Sequence, residues 1–336
     1  MIIDIVVILI ASGAIYYAGE HFATASSFLG NYMGLSKSAK GATIDAISSS
    51  APELLIALFS VIIFHEFEIG IGTVVGSALF NILLIPAVCV FVSPVIFKVS
   101  DEVVHRDGLF YVLSVIILMT AIFYSTEWTT LVGLIFIFTY FVYFLEIFRH
   151  GNAGKYIHRL KKFAKKGPSF NHKPKVRKRP SKIKLEKEVA ILLGSLFLII
   201  LSSYFLVNHS IGLSKAIGVP TILIAFTITA AATSAPDMVI SMANSRKGNI
   251  EDAASNVFGS NIFDILIGLG LPAIIAVSMR IPVGITTESM AIMFGLLTST
   301  VTMLYLLSED MILTKNRALM LIFIYIILII FVLAII

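Results

Sequence analysis

The stretch Ser49-Ser-Ala-Pro-Glu53, followed by Gly76-Ser-Ala-Leu-Phe-Asn81, returns almost unchanged in the second half of the chain. There the sequence is Thr233-Ser-Ala-Pro-Asp237 and then Gly259-Ser-Asn-Ile-Phe-Asp264. Both copies lie inside strongly apolar sequence. Acids and proline-broken helices at corresponding places of two halves are typical of the ion site of a membrane transporter.

The composition indicates a membrane protein. The chain has 336 residues, of which 58% are hydrophobic and 13% are charged. A soluble domain of that composition would leave large apolar patches on its surface, whereas apolar runs of 18 or more residues predict membrane spans. Hydropathy predicts ten of them, at residues 2–22, 39–63, 70–92, 108–125, 128–148, 188–208, 215–244, 251–277, 283–307 and 313–335.

The ten predicted spans form two groups of five. Each group holds one copy of the motif in its second and third spans. An odd number of spans per group makes the second group enter the membrane from the opposite side, so equivalent residues can face each other at mid-membrane. We therefore expect an all-α integral membrane protein with ten transmembrane helices in two inverted five-helix repeats, 1–148 and 188–336, joined by a basic loop at 149–187.

The basic residues predict the orientation. Fifteen of the 25 Lys and Arg residues lie between Arg149 and Lys187, so the positive-inside rule places that loop in the cytoplasm and both termini outside. Binding of anionic lipid or nucleic acid is the alternative role for the loop. We favour the topological role and expect a multi-pass protein of a prokaryotic plasma membrane, with lipid around it and no nucleic-acid partner.

The two motif acids need a partner. Glu53 lies near the middle of the second predicted span and Asp237 near the middle of the seventh. A carboxylate in hydrocarbon costs several kcal/mol unless it meets water, a cation or another partner. No Lys or Arg is predicted at similar depth, which leaves a bound cation or a proton.

A proline precedes each acid and changes the helix there. Pro52 and Pro236 have no N–H, so the carbonyls of Ser48 and Ala232 lose their helical partners. A kinked, partly unwound helix is tolerated at membrane depth only around a polar cavity. The carbonyl oxygens of these two residues are therefore candidate ligands.

Side-chain oxygens surround the acids in the sequence pattern. Hydroxyls three or four residues before each acid share its helical face, and these are Ser49, Ser50, Thr233 and Ser234. Carboxylate, hydroxyl and carbonyl oxygens suit hard cations such as Ca²⁺ and Na⁺. The motifs contain no His or Cys cluster that would indicate zinc or copper.

The following span of each repeat adds further oxygens. Ser77 and Asn81 are an i,i+4 pair, and Ser260 and Asp264 repeat it. Small residues allow close approach of neighbouring helices, here at Gly72, Gly76 and Gly259. The three acids of the convergent site could be balanced by one divalent ion with residual charge, or by about three monovalent ions, which is what exchange requires.

These residues resemble the alpha repeats of the cation/Ca²⁺ exchanger superfamily. The resemblance rests on Ser49–Glu53, on Val75-Gly-Ser-Ala-Leu-Phe-Asn-Ile82 and on the stretch from Gly259 to Pro272, and it covers about residues 36–92 and 217–273. It is strongest to K⁺-dependent Na⁺/Ca²⁺ exchangers and to prokaryotic Na⁺/Ca²⁺ exchangers. The ten-helix inverted-repeat fold of that superfamily agrees with the hydropathy count.

The resemblance implies roles for the motif residues. Glu53 and Asp237 would be the main Ca²⁺ ligands and would also serve Na⁺, and Asn81 and Asp264 would complete the centre. The Na⁺-site hydroxyls would be Ser50, Ser77, Ser234 and Ser260. An aspartate at the place of Asp264 is associated with K⁺ in the K⁺-dependent branch but also occurs in prokaryotic Na⁺/Ca²⁺ exchangers, so K⁺ dependence does not follow.

The chain departs from the family pattern in two ways. Ser48 and Ala232 stand where the family usually has Gly, a change that would stiffen the unwound segments. Asp45 is also unusual, since Thr229 occupies the matching place of the other repeat. Asp45 could line an inner vestibule or bind an extra cation or proton; the alternative is a snorkelling or water-facing acid near the helix end.

We expect a Na⁺/Ca²⁺ antiporter that works by alternating access, with spans 1 and 6 moving against the rest. A Ca²⁺/H⁺ antiporter with the same carboxylate site is the alternative, because carboxylates also bind protons. A passive channel is disfavoured by the inverted repeats, and the motifs of a membrane enzyme are absent. No cofactor and no obligate protein partner are evident; the expected partners are the transported ions Ca²⁺ and Na⁺, with K⁺ and H⁺ undecided.

Overall fold

The computed structural model describes residues 1–33, 40–124, 128–166, 182–283 and 287–334. Within these residues nine helices are long and apolar enough to cross a membrane, and one bent pair of helices makes a tenth span. Spans 1 to 10 are Ile2–Gly30, Gly41–Ser49 with Ala51–Ile62, Phe67–Val92, Val103–Phe123, Thr130–Ile147, Lys184–Ile217, Thr221–Arg246, Ile250–Ser278, Ser289–Ser308 and Lys315–Ala334. The predicted all-α fold of ten spans is confirmed.

Several spans are built from shorter helical segments. The α-helices are Ile2–Met33, Ala46–Ser49, Ala51–Ile62, Phe67–Leu79, Ile85–Val92, Leu109–Tyr124, Thr130–Lys166, Lys182–Ile217, Thr221–Ile224, Ala230–Thr233, Ala235–Arg246, Ile250–Phe263, Gly270–Ser278, Thr287–Ser308 and Lys315–Ala334. Wider π-helical turns interrupt them at Gly41–Asp45, Phe80–Leu84, Val103–Gly108, Ala225–Thr229 and Asp264–Gly268. The described strands are β1 (Phe97–Lys98) and β2 (Ile312–Leu313).

The boundary between spans 6 and 7 differs from the hydropathy estimate. The helix of span 6 continues to Ile217, well past the predicted end at 208, and span 7 begins at Thr221 rather than at 215. Gly218 adopts a positive φ of 73°, and Pro220 follows it. A left-handed glycine and a proline are common helix-stop signals, so local chain chemistry sets this boundary rather than the fall in hydropathy.

The predicted basic loop at 149–187 is helical in part. The helix that carries span 5 continues to Lys166, and the helix that carries span 6 begins at Lys182. Residues 167–181 lie outside the described part of the chain. The cytoplasmic placement of this segment stays a prediction.

The two repeats match in backbone detail. The π-helical turn Gly41–Asp45 in span 2 has its counterpart at Ala225–Thr229 in span 7. The turn Phe80–Leu84 in span 3 has its counterpart at Asp264–Gly268 in span 8. The first pair keeps the 184-residue offset between Glu53 and Asp237, and the second pair lies within one residue of the 183-residue offset between Ser77 and Ser260. The helix irregularities therefore repeat together with the sequence motifs.

Glycines allow the central spans of one repeat to cross the other repeat closely. A Cβ on Gly76 would lie 2.2 Å from the Phe226 carbonyl oxygen, so span 3 crosses span 7 at backbone contact. A Cβ on Gly259 would lie 2.9 Å from the Ala42 Cα, so span 8 crosses span 2 in the same way. Gly72 also approaches span 7 closely, since a Cβ there would lie 2.5 Å from the Ile222 carbonyl oxygen, as small-residue packing predicts.

Spans 3 and 8 form the centre of the molecule. Of their most apolar stretches, 83% and 72% of residues are buried, against 28% for spans 1 and 6. Spans 1 and 6 instead pack on each other at one side and enclose an apolar cluster that includes Ile15 and Leu206. The repeated motifs therefore lie in the most enclosed part of the fold.

The contacts at the ends of the spans fit the inverted arrangement. Strands β1 and β2 pair antiparallel, which joins the segment after span 3 to the segment after span 9. Gly248, after span 7, lies against Val95 at the same end. Asp4 at the start of span 1 contacts His209 of span 6, Oδ1 to Nδ1 2.9 Å, as alternating span directions require.

Candidate cation site

Three acids meet at the centre of the molecule. Glu53 of span 2, Asp237 of span 7 and Asp264 of span 8 each offer a carboxylate oxygen within 4.8 Å of those of the other two. All three side chains are fully buried. The structure thus brings together the acids that the repeated motifs singled out.

The prolines place two of these acids at the start of new helices. Span 2 bends by 48° at Ser50, and the helix Ala51–Ile62 begins there with Pro52 in its first turn. A proline costs no hydrogen bond at such a position, because the first N–H groups of a helix lack intrahelical acceptors. Glu53 then lies in the first turn, where the helix dipole favours a negative charge.

Span 7 repeats this arrangement without the sharp bend. A turn at Ser234 separates Ala230–Thr233 from Ala235–Arg246, and Pro236 lies in the first turn of the second helix. Asp237 lies in that turn as Glu53 does in span 2. Both motif acids therefore lie beside a helix N-terminus.

Ser77 connects the two repeats at the centre of the cluster. Its Oγ lies 3.2 Å from Glu53 Oε1 and 3.2 Å from Asp264 Oδ2, and its single proton can serve one of them at a time. The same oxygen accepts a hydrogen bond from Ser234 Oγ at 2.9 Å. Asn81 Nδ2 approaches it at 3.4 Å.

Asp237 is the best-satisfied acid of the three. Its Oδ1 accepts hydrogen bonds from Ser260 Oγ at 2.6 Å and from Asn256 Nδ2 at 3.3 Å. Its Oδ2 accepts one from Asn81 Nδ2 at 3.1 Å. These neutral donors stabilise the carboxylate charge without a basic side chain.

Several buried oxygens of the cluster have no hydrogen-bond partner within the described residues. They are Glu53 Oε2, Asp264 Oδ1, Asn81 Oδ1 and Ser50 Oγ. The ion pairs formed by the described residues involve other acids. An unpaired buried oxygen is costly, and a hard cation ligated by several oxygens would remove that cost. The donor set therefore fits Ca²⁺ or Na⁺ as cargo.

The other predicted ligands take different positions. Ser49 Oγ donates to the Asp45 carbonyl at 2.9 Å and lies 3.3 Å from Ser260 Oγ, so it borders the cluster. Thr233 Oγ1 donates to the Ala230 carbonyl at 3.1 Å.

At Ser48 and Ala232 only the main chain is available as a ligand. Ser48 Oγ donates to the Ile44 carbonyl. Ala232 packs against the apolar cluster shared with spans 1 and 6. Their side chains therefore add no ligand atom to the carboxylate cluster.

Asn256 and Ser241 also belong to the site, although they are not among the ligands predicted from the repeated motifs. Asn256 Nδ2 lies 3.1 Å from Ser241 Oγ as well as near Asp237, and both residues are fully buried. A signal was available, because Asn256 lies one turn before Ser260 and Ser241 lies one turn after Asp237.

A family model described as sodium/calcium exchanger protein matches residues 3–148 and 187–334 of this chain. The chain belongs to this family. The predicted superfamily is thereby confirmed; the family and the fold are those of transporters, and the ten apolar spans make the chain a multi-pass membrane protein.

Individual relatives agree with the family match. The chain is 26% identical to inner membrane protein YrbG of Escherichia coli (strain K12), over 78% of this chain and 76% of the relative. It is 41% identical to sodium/potassium/calcium exchanger 4 of Mus musculus, but over only 33% of this chain and 18% of the relative. Its fold resembles a solved structure of the sodium-calcium exchanger NCX_Mj, with a TM-score of 0.65, 20% identity and 97% of each chain covered.

Proposed function

We propose that this protein exchanges Na⁺ for Ca²⁺ across a membrane by alternating access around the carboxylate cluster. The observation that carries the proposal is the meeting of Glu53, Asp237 and Asp264 within 4.8 Å, fully buried and without a basic partner among the described residues. Three such charges need a cation in a low-dielectric site. One Ca²⁺ or about three Na⁺ would supply comparable charge.

Glu53 and Asp237 are proposed as the principal Ca²⁺ ligands. They come from opposite repeats and each occupies the first turn of a half-helix. Glu53 has one oxygen without a hydrogen-bond partner among the described residues, whereas Asp237 would exchange some of its neutral donors for the ion. Asp264 and Asn81 also have free oxygens and would complete the coordination.

The serine hydroxyls favour Na⁺ over H⁺ as the driving ion. A proton needs only one carboxylate oxygen, whereas Na⁺ needs several oxygens around it. Ser77 lies between Glu53 and Asp264, and Ser260 lies beside Asp237. Such hydroxyls offer the additional oxygens of Na⁺ sites. Proton coupling is the competing outcome of the transport test.

Spans 1 and 6 are the proposed moving elements. They are among the least enclosed spans and pack extensively on each other. Span 1 contacts the site region at Gly19, where a Cβ would lie 2.3 Å from Pro236 Cγ. A slide of span 1 along this glycine would alter access to Asp237. We further propose a plasma-membrane location, with the segment 149–187 cytoplasmic.

The test is uptake of radioactive Ca²⁺ into proteoliposomes preloaded with Na⁺, with parallel arms for K⁺ and for a pH gradient. We expect uptake that requires the outward Na⁺ gradient and stops when external Na⁺ equals internal Na⁺. Protein-free liposomes and liposomes with an ionophore that collapses the Na⁺ gradient are the controls.

Each arm decides one part of the proposal. Uptake that ignores Na⁺ but follows an acid-inside pH gradient would replace the driving ion and keep the site. A requirement for K⁺ would add K⁺ to the transported ions. Absence of Ca²⁺ uptake in every arm would overturn Ca²⁺ as the substrate.

A further inference from the structure

A second polar region lies between the carboxylate cluster and one end of the molecule. A cavity with about 820 Å³ of empty space, part of it open to solvent, is bounded by spans 1, 2 and 7. Its lining includes Glu20, Asp45, Asn244 and Lys247. It opens at the end where Lys247 and the segment around Val95 lie together.

A buried ion pair lies in the wall of this cavity. Lys40 Nζ is 2.8 Å from Asp45 Oδ2 and donates to Ser27 Oγ at 2.9 Å. The exposed fractions of Lys40 and Asp45 are 7% and 1%, so Asp45 is not a water-facing acid at the surface. Its other oxygen, Oδ1, is buried and has no hydrogen-bond partner within the described residues. The carboxylate charge is thus neutralised by one tethered ammonium group.

The pair is connected to the carboxylate cluster. The main-chain oxygen of Asp45 accepts the hydrogen bond of Ser49, and Ser49 Oγ lies 3.3 Å from Ser260 Oγ, which donates to Asp237. Asp45 precedes Glu53 by eight residues, about 12 Å at the helical rise. An ion that moves between the cavity and the cluster would therefore pass close to Asp45.

The other repeat has no such pair. Thr229 occupies the place of Asp45, and Ile224 occupies the place of Lys40. Thr229 Oγ1 instead shares a neutral hydrogen bond with Ser210 Oγ at 3.1 Å. Since the repeats are inverted, a device present in one of them acts toward one membrane face only.

We propose that this cavity is the ion entry from its face of the membrane and that Lys40 and Asp45 are positioning residues that set cation affinity from that face alone. Lys40 cancels the Asp45 charge, while Glu20 and Lys247 balance each other among the described lining residues. A neutral mouth attracts cations weakly; one net negative charge would concentrate them near the cluster. The inference rests on the proposed exchange activity.

The experiment compares the apparent KM for Ca²⁺ in right-side-out and everted membrane vesicles, which present opposite faces to the medium. Lys40→Met leaves Asp45 unpaired, and we expect the KM at the cavity face to fall roughly threefold or more, as a unit charge about 12 Å away acts on a divalent ion in water-like surroundings. Asp45→Asn should raise it in the same proportion. The KM at the other face should stay unchanged.

The remaining variants isolate the charge from the fold. Lys40→Arg should retain the wild-type KM, and the double variant Lys40→Met/Asp45→Asn should return close to it. If Lys40→Met does not reach the membrane, the comparison of Asp45→Asn with the double variant replaces it, because these two variants differ only at Lys40. Lys98→Gln is the control, since Lys98 is an exposed cation in the segment near the same end but outside the cavity lining.

The outcomes separate the two proposals. Wild-type protein without Na⁺-dependent Ca²⁺ transport in either vesicle orientation would overturn the proposed function. Active wild-type protein with an unchanged KM in Lys40→Met, or in the double variant relative to Asp45→Asn, would overturn the proposed role of Lys40 and Asp45. Equal shifts at both faces, or an equal shift in Lys98→Gln, would also overturn it.

Discussion

The two repeats present the same acid in unequal surroundings. Asp237 accepts hydrogen bonds from three neutral side chains. Glu53 instead shares the single proton of Ser77 with Asp264, and its Oε2 has no hydrogen-bond partner among the described residues. The difference arises at two positions. Asn256 in span 8 corresponds to Thr73 in span 3, and Asn81 in span 3, which donates to Asp237, corresponds to Asp264 in span 8. The two repeats therefore match more closely in backbone structure than in the hydrogen bonds around their acids.

The breaks in the helices of spans 2 and 7 also differ. Span 2 bends by 48° at Ser50, where ψ is 5°, while span 7 passes its own break at Ser234 as one span. A sharper bend separates the helix ends further and leaves more main-chain groups available. The first repeat thus holds the more open half of the site, and the second repeat holds the more firmly fixed carboxylate.

Removal of either central charge should have the largest effect. Glu53→Gln and Asp237→Asn each leave the ion with one charged ligand fewer, and loss of a partner in a buried charged site costs about 3 kcal/mol or more, roughly 100-fold. We expect Na⁺-dependent Ca²⁺ uptake to fall at least that far while detergent-solubilised protein stays monodisperse. Glu251→Gln, at an exposed acid of span 8, should be active. Robust uptake by both neutralised variants would contradict the assignment of Glu53 and Asp237 as ion ligands.

Substitution of the glycines at the helix crossings should have the second-largest effect, and the effect should differ between the two crossings. Gly76→Ala places a Cβ 2.2 Å from a carbonyl oxygen, whereas Gly259→Ala places one 2.9 Å from a Cα. Overpacking costs about 1–3 kcal/mol or more, so both variants should lose thermal stability, the first more than the second. Gly13→Ala, where the new methyl group meets open space, is the matched control. A larger loss at Gly259 would contradict the described crossings.

Loss of one central hydroxyl should weaken Na⁺ binding by about tenfold. Ser77→Ala and Ser260→Ala each remove an oxygen next to the acids, and a hydrogen bond or ligand of this kind is worth about 1.5 kcal/mol. The Na⁺ concentration for half-maximal Ca²⁺ release should rise in both. Ser60→Ala, a buried serine bonded to its own helix, should leave it unchanged. Unaltered Na⁺ dependence in the two central variants would favour proton coupling.

The smallest expected effect is that of removing Asn256, a hydrogen-bond donor that has no equivalent in the first repeat. Asn256→Ala removes a donor that stabilises Asp237 in the ion-free site, so we expect the ion-free protein to melt a few degrees lower and Ca²⁺ to raise its Tm by more than in wild type. Thr73→Val, at the equivalent position of the first repeat, removes a hydroxyl that has no hydrogen-bond partner in the described part of the chain. It should leave both temperatures unchanged. If both variants change the two melting temperatures equally, the inferred difference between the two repeats in stabilising their acids is wrong.

Much of the fold could be predicted because the membrane restricts it. Hydropathy and the odd span count gave ten spans and inverted repeats, and the prolines at 52 and 236 marked the helix breaks. The end of span 6 was misplaced because the chain stays helical beyond Asn208 until Gly218 and Pro220 end the helix. Hydropathy measures burial in lipid and cannot detect a helix that continues through polar sequence.

The site was predictable where both repeats agree and less so where they differ. The central serines and acids appear twice in register, so their meeting follows from the inverted symmetry. Asn256 has Thr73 as its counterpart, so the repeat did not indicate it. Asp45 was noticed only as a departure from its counterpart Thr229, and that departure does not identify its partner. Lys40 lies at the start of the predicted span 39–63, and only the packing of span 1 shows that it is buried against Asp45.

Equilibrium binding of radioactive Ca²⁺ to the purified protein, with increasing Na⁺ as competitor, tests the shared cation site most directly. We expect saturable Ca²⁺ binding that Na⁺ displaces, and loss of that binding in Glu53→Gln and in Asp237→Asn. Saturable binding that persists unchanged in both variants, or that Na⁺ does not displace, would contradict a shared Ca²⁺ and Na⁺ site at the carboxylate cluster.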